Sequence, residues 1–176
     1  PTELALKVLG AKSDLVDQLE IKNENVFTSE RKSMSTLHTV ENESVMYTKG
    51  ACEMVLDMCS HIQINGEIAK LTQEMRKQIE KQTHMYSANA LRVLALAFKK
   101  QNSMSEKDMI FVGLVAMIDP PRETVSESIK LVSKANIDVK IITGDNPITA
   151  QAIAAEIGFT NTNMLTGADI TQMNDQ

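Results

Sequence analysis

The chain up to residue 118 shows short hydrophobic patterns that predict helices and hairpins. Residues 2–9 read as a helix, with Thr2 as an N-cap and Gly10 as a stop. Apolar and polar residues alternate in two stretches that are rich in β-branched side chains, RKSMSTLHTV and SVMYTKG. Polar residues 41–43 separate the two stretches, which predicts an antiparallel hairpin. The charged residues 14–25 fit a weaker helix. The same criteria predict helices over 51–59 and 72–90 and strands over 91–100 and 109–119. A second hairpin is predicted over 62–71, around Asn65-Gly66.

The pattern changes at Asp119-Pro120-Pro121-Arg122, where two prolines stiffen the connection. Helix and strand then alternate, with helices predicted over 123–135 and 147–158 and strands over 138–143 and 163–167. Such alternation favours a parallel sheet built from βαβ units. The predicted fold class is therefore α/β (α+β): an antiparallel domain over 1–118, then a partial Rossmann-like domain over 119–176.

Composition narrows the class of protein. The chain has 176 residues, 43% of them hydrophobic, so a folded core is expected rather than disorder. The net charge of −5 argues against nucleic acid as a main partner. No apolar run approaches the ~20 residues needed to cross a bilayer. The first residues read as helix without an initiator Met, so we expect this to be a piece of a longer protein.

The two cysteines, Cys52 and Cys59, fall within the predicted helix 51–59, two turns apart on one face. That separation is too large for an easy disulfide, and free thiols in a reducing cytoplasm are expected. The three histidines are scattered without ligand spacing, so no metal site is predicted.

Several separate stretches contain residue types that suit a nucleotide pocket. An aromatic ring can stack on a base, a carboxylate can accept from its exocyclic amine, and cations can meet phosphates. Gly50 would let backbone and ligand approach closely. Each of these residues taken alone also has a purely structural explanation. Phe27 would be a core residue and Met34 would fill a gap in the core. Lys32 and Lys49 would be solvated, and Arg92 would form a surface ion pair. The candidate nucleotide-binding residues are Glu3, Phe27, Lys32, Met34, Lys49, Gly50 and Arg92.

A second candidate site is the segment Thr143-Gly144-Asp145, at the carboxyl end of the predicted strand 138–143. Ligands bind at that edge of open α/β sheets. Asn146 is positioned to cap the next helix, with Pro147 as its first residue. The hydroxyl of Thr143 and the carboxylate of Asp145 at this edge therefore mark a candidate ligand site, with Gly144 between them.

Taken in order, PTE, FTSERKSMS, YTKGA, LRVLALAF, VGLVAMIDPPR and IITGDN resemble the successive signatures of P-type cation-transporting ATPases, in particular the type II group of calcium and sodium/potassium pumps. The resemblance runs from Pro1 to about Gly158. One departure is Cys52, which stands where the family usually has proline after KGA.

The resemblance implies roles for individual residues. The family's adenine-stacking aromatic residue falls on Phe27, and the lysines lining the adenine end of the pocket fall on Lys32 and Lys49. Glu3 corresponds to a glutamate on the adenine side, and Arg92 to an arginine that contacts the phosphates. Residues 119–122 correspond to the hinge between the nucleotide-binding and phosphorylation domains.

The resemblance also implies ATP and Mg²⁺ as cofactors and the remainder of a pump, its actuator and transmembrane domains, as partners. Thr143, Gly144 and Asp145 then belong to the phosphorylation site. The family's DKTGT nucleophile and GDGxND carboxylates do not occur in the sequence, and we expect them before Pro1 and after Gln176. The implied location is the cytoplasmic portion of a cell-membrane protein. MIDPPRETV is similar to bacterial calcium-type pumps, which makes Ca²⁺ the first expected cargo, with Na⁺, K⁺ and H⁺ as open alternatives. This part alone is expected to bind ATP without hydrolysing it.

Two other functions compete with that expectation. A free-standing phosphatase of the haloacid dehalogenase type would need an Asp-x-Asp nucleophile pair, and the sequence has none. A non-catalytic nucleotide-sensing module needs only the pocket, and remains the alternative.

Overall fold

The computed structural model describes residues 2–13, 19–118, 120–159 and 163–173. The helices are α1 (Thr2–Lys12), α2 (Cys52–Met58), α3 (Gln73–Ala88), α4 (Val125–Lys134), α5 (Pro147–Glu156) and α6 (Gly167–Gln172). The strands are β1 (Ile21–Asn25), β2 (Ser33–Val40), β3 (Glu43–Gly50), β4 (Cys59–Ile64), β5 (Glu67–Lys70), β6 (Arg92–Lys100) and β7 (Met109–Met117). The described residues divide into two compact units, one within 1–83 and 93–117 and the other within 84–92 and 118–176.

The first unit contains a seven-stranded sheet in the order β1-β2-β3-β6-β7-β4-β5. Both predicted hairpins are confirmed, because β2 pairs with β3 and β4 with β5 in antiparallel register. Asn65 (φ 51°) and Gly66 (φ 87°) close the second hairpin, while Glu41 (φ 50°) and Asn42 (φ 68°) close the first. Consecutive left-handed residues suit tight hairpin turns because they match the twist of the strands.

Three predictions in this unit are wrong. Charged residues 21–25 form strand β1 rather than a helix, because they pair with the edge of β2 and need no apolar face there. The rest of that predicted helix, residues 14–18, lies outside the described residues. Helix α1 continues through Gly10 to Lys12. The sheet is not wholly antiparallel either, because β4 runs parallel to β7.

The core of the first unit lies between helix α2 and the sheet, where α2 contacts β3, β4 and β7. Its fully buried side chains include Met46, Val55, Leu56 and Met109. The guanidinium of Arg76 donates to the carbonyl oxygen of Leu56 (2.6 Å) near the end of α2, and the same carbonyl accepts from the backbone N–H of Cys59.

Both cysteines are free and buried in this core, so the expected thiol state is confirmed. Cys59 opens strand β4 rather than ending a helix, because α2 stops at Met58. Burial raises the pKa of both thiols, that of Cys59 to about 12. These are inert structural thiols.

The second unit departs most from the sequence prediction. Helices α4 and α5 are confirmed, and the side chain of Asn146 accepts from the backbone N–H of Ile148 (3.0 Å) with Pro147 as the first helical residue. Neither predicted strand forms in the described residues 138–143 and 163–167, so these residues do not build the expected parallel sheet. Ile142 is 97% exposed, and a strand is stable only when neighbours pair with it.

Candidate functional site

Strand pairing brings two of the predicted pocket stretches together in the first unit. In the β2–β3 register, Met34 lies opposite Lys49 and Ser33 lies opposite Gly50. The next strand, β6, places Leu96 opposite Lys49, so Met34, Lys49 and Leu96 share one face of the sheet. Met34 is partly buried there. The segments FTSERKSMS and YTKGA are therefore neighbours in space.

Gly50 permits this close approach. A Cβ atom at Gly50 would lie 2.6 Å from the carbonyl oxygen of Lys32 and 2.7 Å from the Cβ atom of Ser33. The backbone N–H of Ala51 also donates to the Lys32 carbonyl (2.9 Å). The structure thus gives Gly50 a packing role against β2, in addition to the ligand approach predicted from the sequence.

Lys49 is held by an ion pair with Glu3. Its Nζ atom lies 2.6 Å from both carboxylate oxygens of Glu3, and the two side chains are 24% and 64% exposed respectively. The alternative that Lys49 is merely solvated is wrong. The pair joins helix α1 to the face of the sheet that carries Met34, so Glu3, Met34 and Lys49 form one cluster.

Phe27 lies in the loop that precedes β2, and its side chain is 59% exposed. The alternative that Phe27 is a core residue is wrong. The loop is closed by a hydrogen bond from the backbone N–H of Lys32 to the carbonyl of Thr28 (2.8 Å). Lys32 is exposed and adopts a left-handed backbone conformation (φ 49°). An exposed aromatic ring and an exposed ammonium therefore lie on one short loop.

In the second unit, the guanidinium of Arg92 donates to the carboxylate of Asp145. The predicted surface ion pair of Arg92 is confirmed, with a partner that the sequence did not indicate. The hydroxyl of buried Thr149 also donates to the Leu91 carbonyl (3.3 Å). Two contacts thus tie residues 91–92 to the segment that starts α5.

Thr143 and Gly144 lie on an exposed turn rather than at the end of a strand. The hydroxyl of Thr143 accepts from the backbone N–H of Asp145 (3.1 Å), a local bond typical of a turn. A Cβ atom at Gly144 would meet nothing within 4 Å. Thr143 and Gly144 are therefore exposed to solvent, whereas the side chain of Asp145 is only 26% exposed.

The sequence does not predict a polar cluster that lies beside the Phe27 loop, residues 26–32. One carboxylate oxygen of Glu106 accepts from Arg31 (2.6 Å), Asn25 (3.0 Å) and Ser35 (2.6 Å), and the Ser35 hydroxyl also contacts that of Thr48 (2.7 Å). Glu106 is 71 to 81 residues away from those three donors along the chain, so no local spacing signals the cluster.

Burial alone would raise the pKa of the Glu106 carboxyl. Hydrogen bonds from Ser35, Asn25 and Arg31, together with the charge of Arg31, outweigh that effect and lower the pKa below its usual value. Glu106 is therefore an anion at neutral pH that is stabilised by three donors.

Two other features of the described residues do not fit a ligand site. A cavity of about 190 Å³ lies between α1 and the end of β7, lined by Ala5, Val8, Leu9, Lys12 and residues 115–117. It is smaller than the roughly 300–1,000 Å³ of ordinary ligand sites. Within the part of the chain that the structure describes, no three His, Cys, Asp or Glu side chains cluster as a metal site.

The comparisons with known proteins bear on residues of both units. Residues 1–124 match the model of the family described as "P-type ATPase, cytoplasmic domain N". The chain is 44% identical to Calcium-transporting ATPase 1 of Bacillus cereus over 90% of its own length and 19% of that protein. It is 36% identical to Calcium-transporting ATPase 1 of Lactococcus lactis over 99% of the chain and 22% of that protein. Magnesium-transporting ATPase, P-type 1 of Escherichia coli K12 is 32% identical over 85% of the chain and 18% of its own length.

The chain belongs to the P-type ATPase family, and its resemblance to the calcium-transporting members is confirmed. It spans about a fifth of the length of the curated relatives that it matches. None of the helices within the described residues has the length and apolar character needed to cross a membrane.

Proposed function

We propose that this chain is the ATP-binding cytoplasmic part of a P-type cation pump. The whole pump would hydrolyse ATP through an aspartyl-phosphate and move a cation across the cell membrane. The family assignment over residues 1–124 supports this. Ca²⁺ is the cation we favour, because the relatives with 44% and 36% identity are named as calcium-transporting.

The proposal rests on one structural observation, the exposure of Phe27 on a short loop shared with Lys32. A ring that is 59% exposed offers apolar surface, and a ligand that covers it gains free energy. Adenine is flat and aromatic, so it can stack on this ring, with a nearby ammonium to meet polar or charged groups of the nucleotide. Lys49, paired with Glu3 beside Met34, would line the adenine end of the pocket.

Residues 1–118 would form the nucleotide-binding domain, and residues 119–176 would form part of the phosphorylation domain, with residues 119–122 as the hinge. Thr143, Gly144 and Asp145 would belong to the phosphorylation site, where a hydroxyl and backbone N–H groups can stabilise the charge of a transferring phosphoryl group. Arg92, whose guanidinium also donates to Asp145, would contact the nucleotide phosphates.

Mg²⁺ enters this proposal as the counter-ion of the ATP phosphates. Asp145 supplies a carboxylate of the kind Mg²⁺ prefers, but that carboxylate is paired with Arg92, and the described residues contain no cluster of three metal-binding side chains. We assign most of the Mg²⁺-binding carboxylates, like the phosphorylated aspartate, to other parts of the pump, because the family's GDGxND and DKTGT motifs do not occur in this sequence.

Titration of the ¹⁵N-labelled chain with ATP tests the proposal. We expect shifts of the amides of residues 26–34 and 47–51, with a Kd on the order of 0.1–1 mM, because the pocket is open and has few anchors. ATP hydrolysis should not rise above background. If no amide in these segments shifts up to ~10 mM ATP, the chain does not bind the nucleotide and the proposal is wrong.

A further inference from the structure

The Phe27 loop is fixed to the rest of the first unit by Arg31. The guanidinium of Arg31 donates to the carbonyl oxygen of Val26 (2.7 Å) through one nitrogen and to the carboxylate of Glu106 (2.6 Å) through the other. Its backbone N–H donates to the hydroxyl of Thr28 (3.1 Å). Arg31 thus contacts both residues adjacent to Phe27 in the chain, Val26 through its carbonyl oxygen and Thr28 through its hydroxyl.

Glu106 in turn is fixed from three sides. Asn25 donates to the Glu106 carboxylate and also to the carbonyl of Met104 (3.2 Å), which joins β1 to the loop before β7. Ser35 and Thr48 connect the same carboxylate to β2 and β3. The Glu106 side chain is 18% exposed, against 31% for Arg31. Glu106 is therefore the rigid end of the pair, and Arg31 is the end that reaches the loop.

We propose that Glu106 is a positioning residue for adenine recognition, which holds Arg31 and through it the Val26 carbonyl, and so fixes Phe27 in the orientation that stacks on the base. This inference rests on the proposed function. Glu106 does not touch the nucleotide. It acts by reducing the conformational freedom of the loop before ATP arrives, so that less entropy is lost on binding.

The first test needs no nucleotide. Glu106→Gln keeps the shape and an acceptor oxygen but removes the charge that Arg31 contacts. The ¹⁵N relaxation of the Phe27 and Thr28 amides should show increased motion in this variant relative to the unmodified chain. Glu43→Gln is the matched control, because Glu43 also forms a 2.6 Å ion pair, with Lys100, elsewhere on the sheet. It should leave these amides unchanged.

The second test is a double-mutant cycle with ATP. Glu106→Gln should raise the Kd for ATP roughly 3- to 10-fold, as expected for loss of a charge-assisted contact. In a Phe27→Ala background the same change should have almost no further effect, because the residue that Glu106 positions is gone. Arg31→Met should reproduce the effect of Glu106→Gln, and it provides a second variant should Glu106→Gln fold poorly.

The outcomes separate the two proposals. Unchanged mobility of residues 27–28 in both Glu106→Gln and Arg31→Met overturns the positioning role, whether or not the chain binds ATP. Fully additive effects of Glu106→Gln and Phe27→Ala on ATP affinity also overturn it. If the unmodified chain binds no ATP while the loop becomes mobile in both variants, the proposed function fails and the role of Glu106 in holding the loop stands.

Discussion

The ammonium of Lys49 lies 2.6 Å from both carboxylate oxygens of Glu3, which joins helix α1 to strand β3. The two residues are 46 positions apart in the chain, and the sequence offers each of them separately as a nucleotide ligand. Their contact means that the positive charge of Lys49 is already balanced before a nucleotide arrives. Because both side chains retain solvent access, the pair itself should add little stability, less than about 1 kcal/mol.

Lys49→Ala should weaken ATP binding roughly 3- to 10-fold at low salt, because an ammonium near the nucleotide is lost. The loss should shrink as salt is raised, since added ions screen a partly exposed charge. Calorimetric titrations at two salt concentrations measure both effects. Lys100→Ala is the control, because Lys100 is also paired with a glutamate at 2.6 Å. Equal weakening by both substitutions would show that net charge, rather than Lys49, is responsible.

Gly50→Ala should lower the free energy of unfolding by about 1–3 kcal/mol, because the new methyl group would overlap the Lys32 carbonyl and Ser33. Gly113→Ala is the matched control in β7, where a Cβ atom meets nothing within 4 Å. Urea unfolding of the two variants measures the difference. A Gly50→Ala protein as stable as Gly113→Ala would contradict the close packing of β2 against β3.

Glu106 should make the free energy of unfolding depend on pH in the acidic range. Its pKa is lowered in the folded state, so its contribution is present above the unfolded value near 4.5 and is lost as the pH falls through the folded pKa. Between pH 5 and pH 3 the unmodified chain should therefore lose more stability than Glu106→Gln. Urea unfolding across that range measures the difference. Parallel curves for the two proteins would mean that the contacts with Arg31, Asn25 and Ser35 do not stabilise the charged form.

The segment around Ile141 and Ile142 should exchange its amide hydrogens rapidly. These residues are 45% and 97% exposed and form no strand, so their opening free energy should be on the order of 1 kcal/mol or less. Ala95 and Ala97 in β6 are buried and should exchange far more slowly. Hydrogen exchange on a monomeric sample decides this. If the amides of Ile141 and Ile142 were as protected as that of Ala97, the strand that the sequence predicts would be present after all.

The sequence predicts elements well where the signal is local. Asn65-Gly66 marks a hairpin because its backbone preferences select the turn, and Asn146-Pro147 marks a helix start for the same kind of reason. Helix α6 also has a local signal, the capping box in which Thr166 and Asp169 bond reciprocally, whereas composition predicts a strand over 163–167.

Prediction fails where structure depends on distant partners. DVKIIT has strand composition, yet a strand needs neighbours that pair with it, and none pairs with it among the described residues. The candidate site shows the same limit. Motifs identified Phe27, Lys49 and Arg92, whereas the contacts of Arg92 with Asp145 and of Arg31 with Glu106 follow only from the folded chain.

Phe27 tests the central claim most directly, because the account requires its exposed ring to bind adenine. Phe27→Ala should weaken ATP binding by roughly 1–3 kcal/mol, or about 5- to 150-fold, with little salt dependence. Its thermal midpoint should stay near that of the unmodified chain, whereas Phe111→Ala, at a site 3% exposed, should cost about 3–5 kcal/mol of stability. The decisive measurement is the Kd for ATP of folded Phe27→Ala. A large increase supports adenine stacking at Phe27, and an unchanged Kd would contradict it.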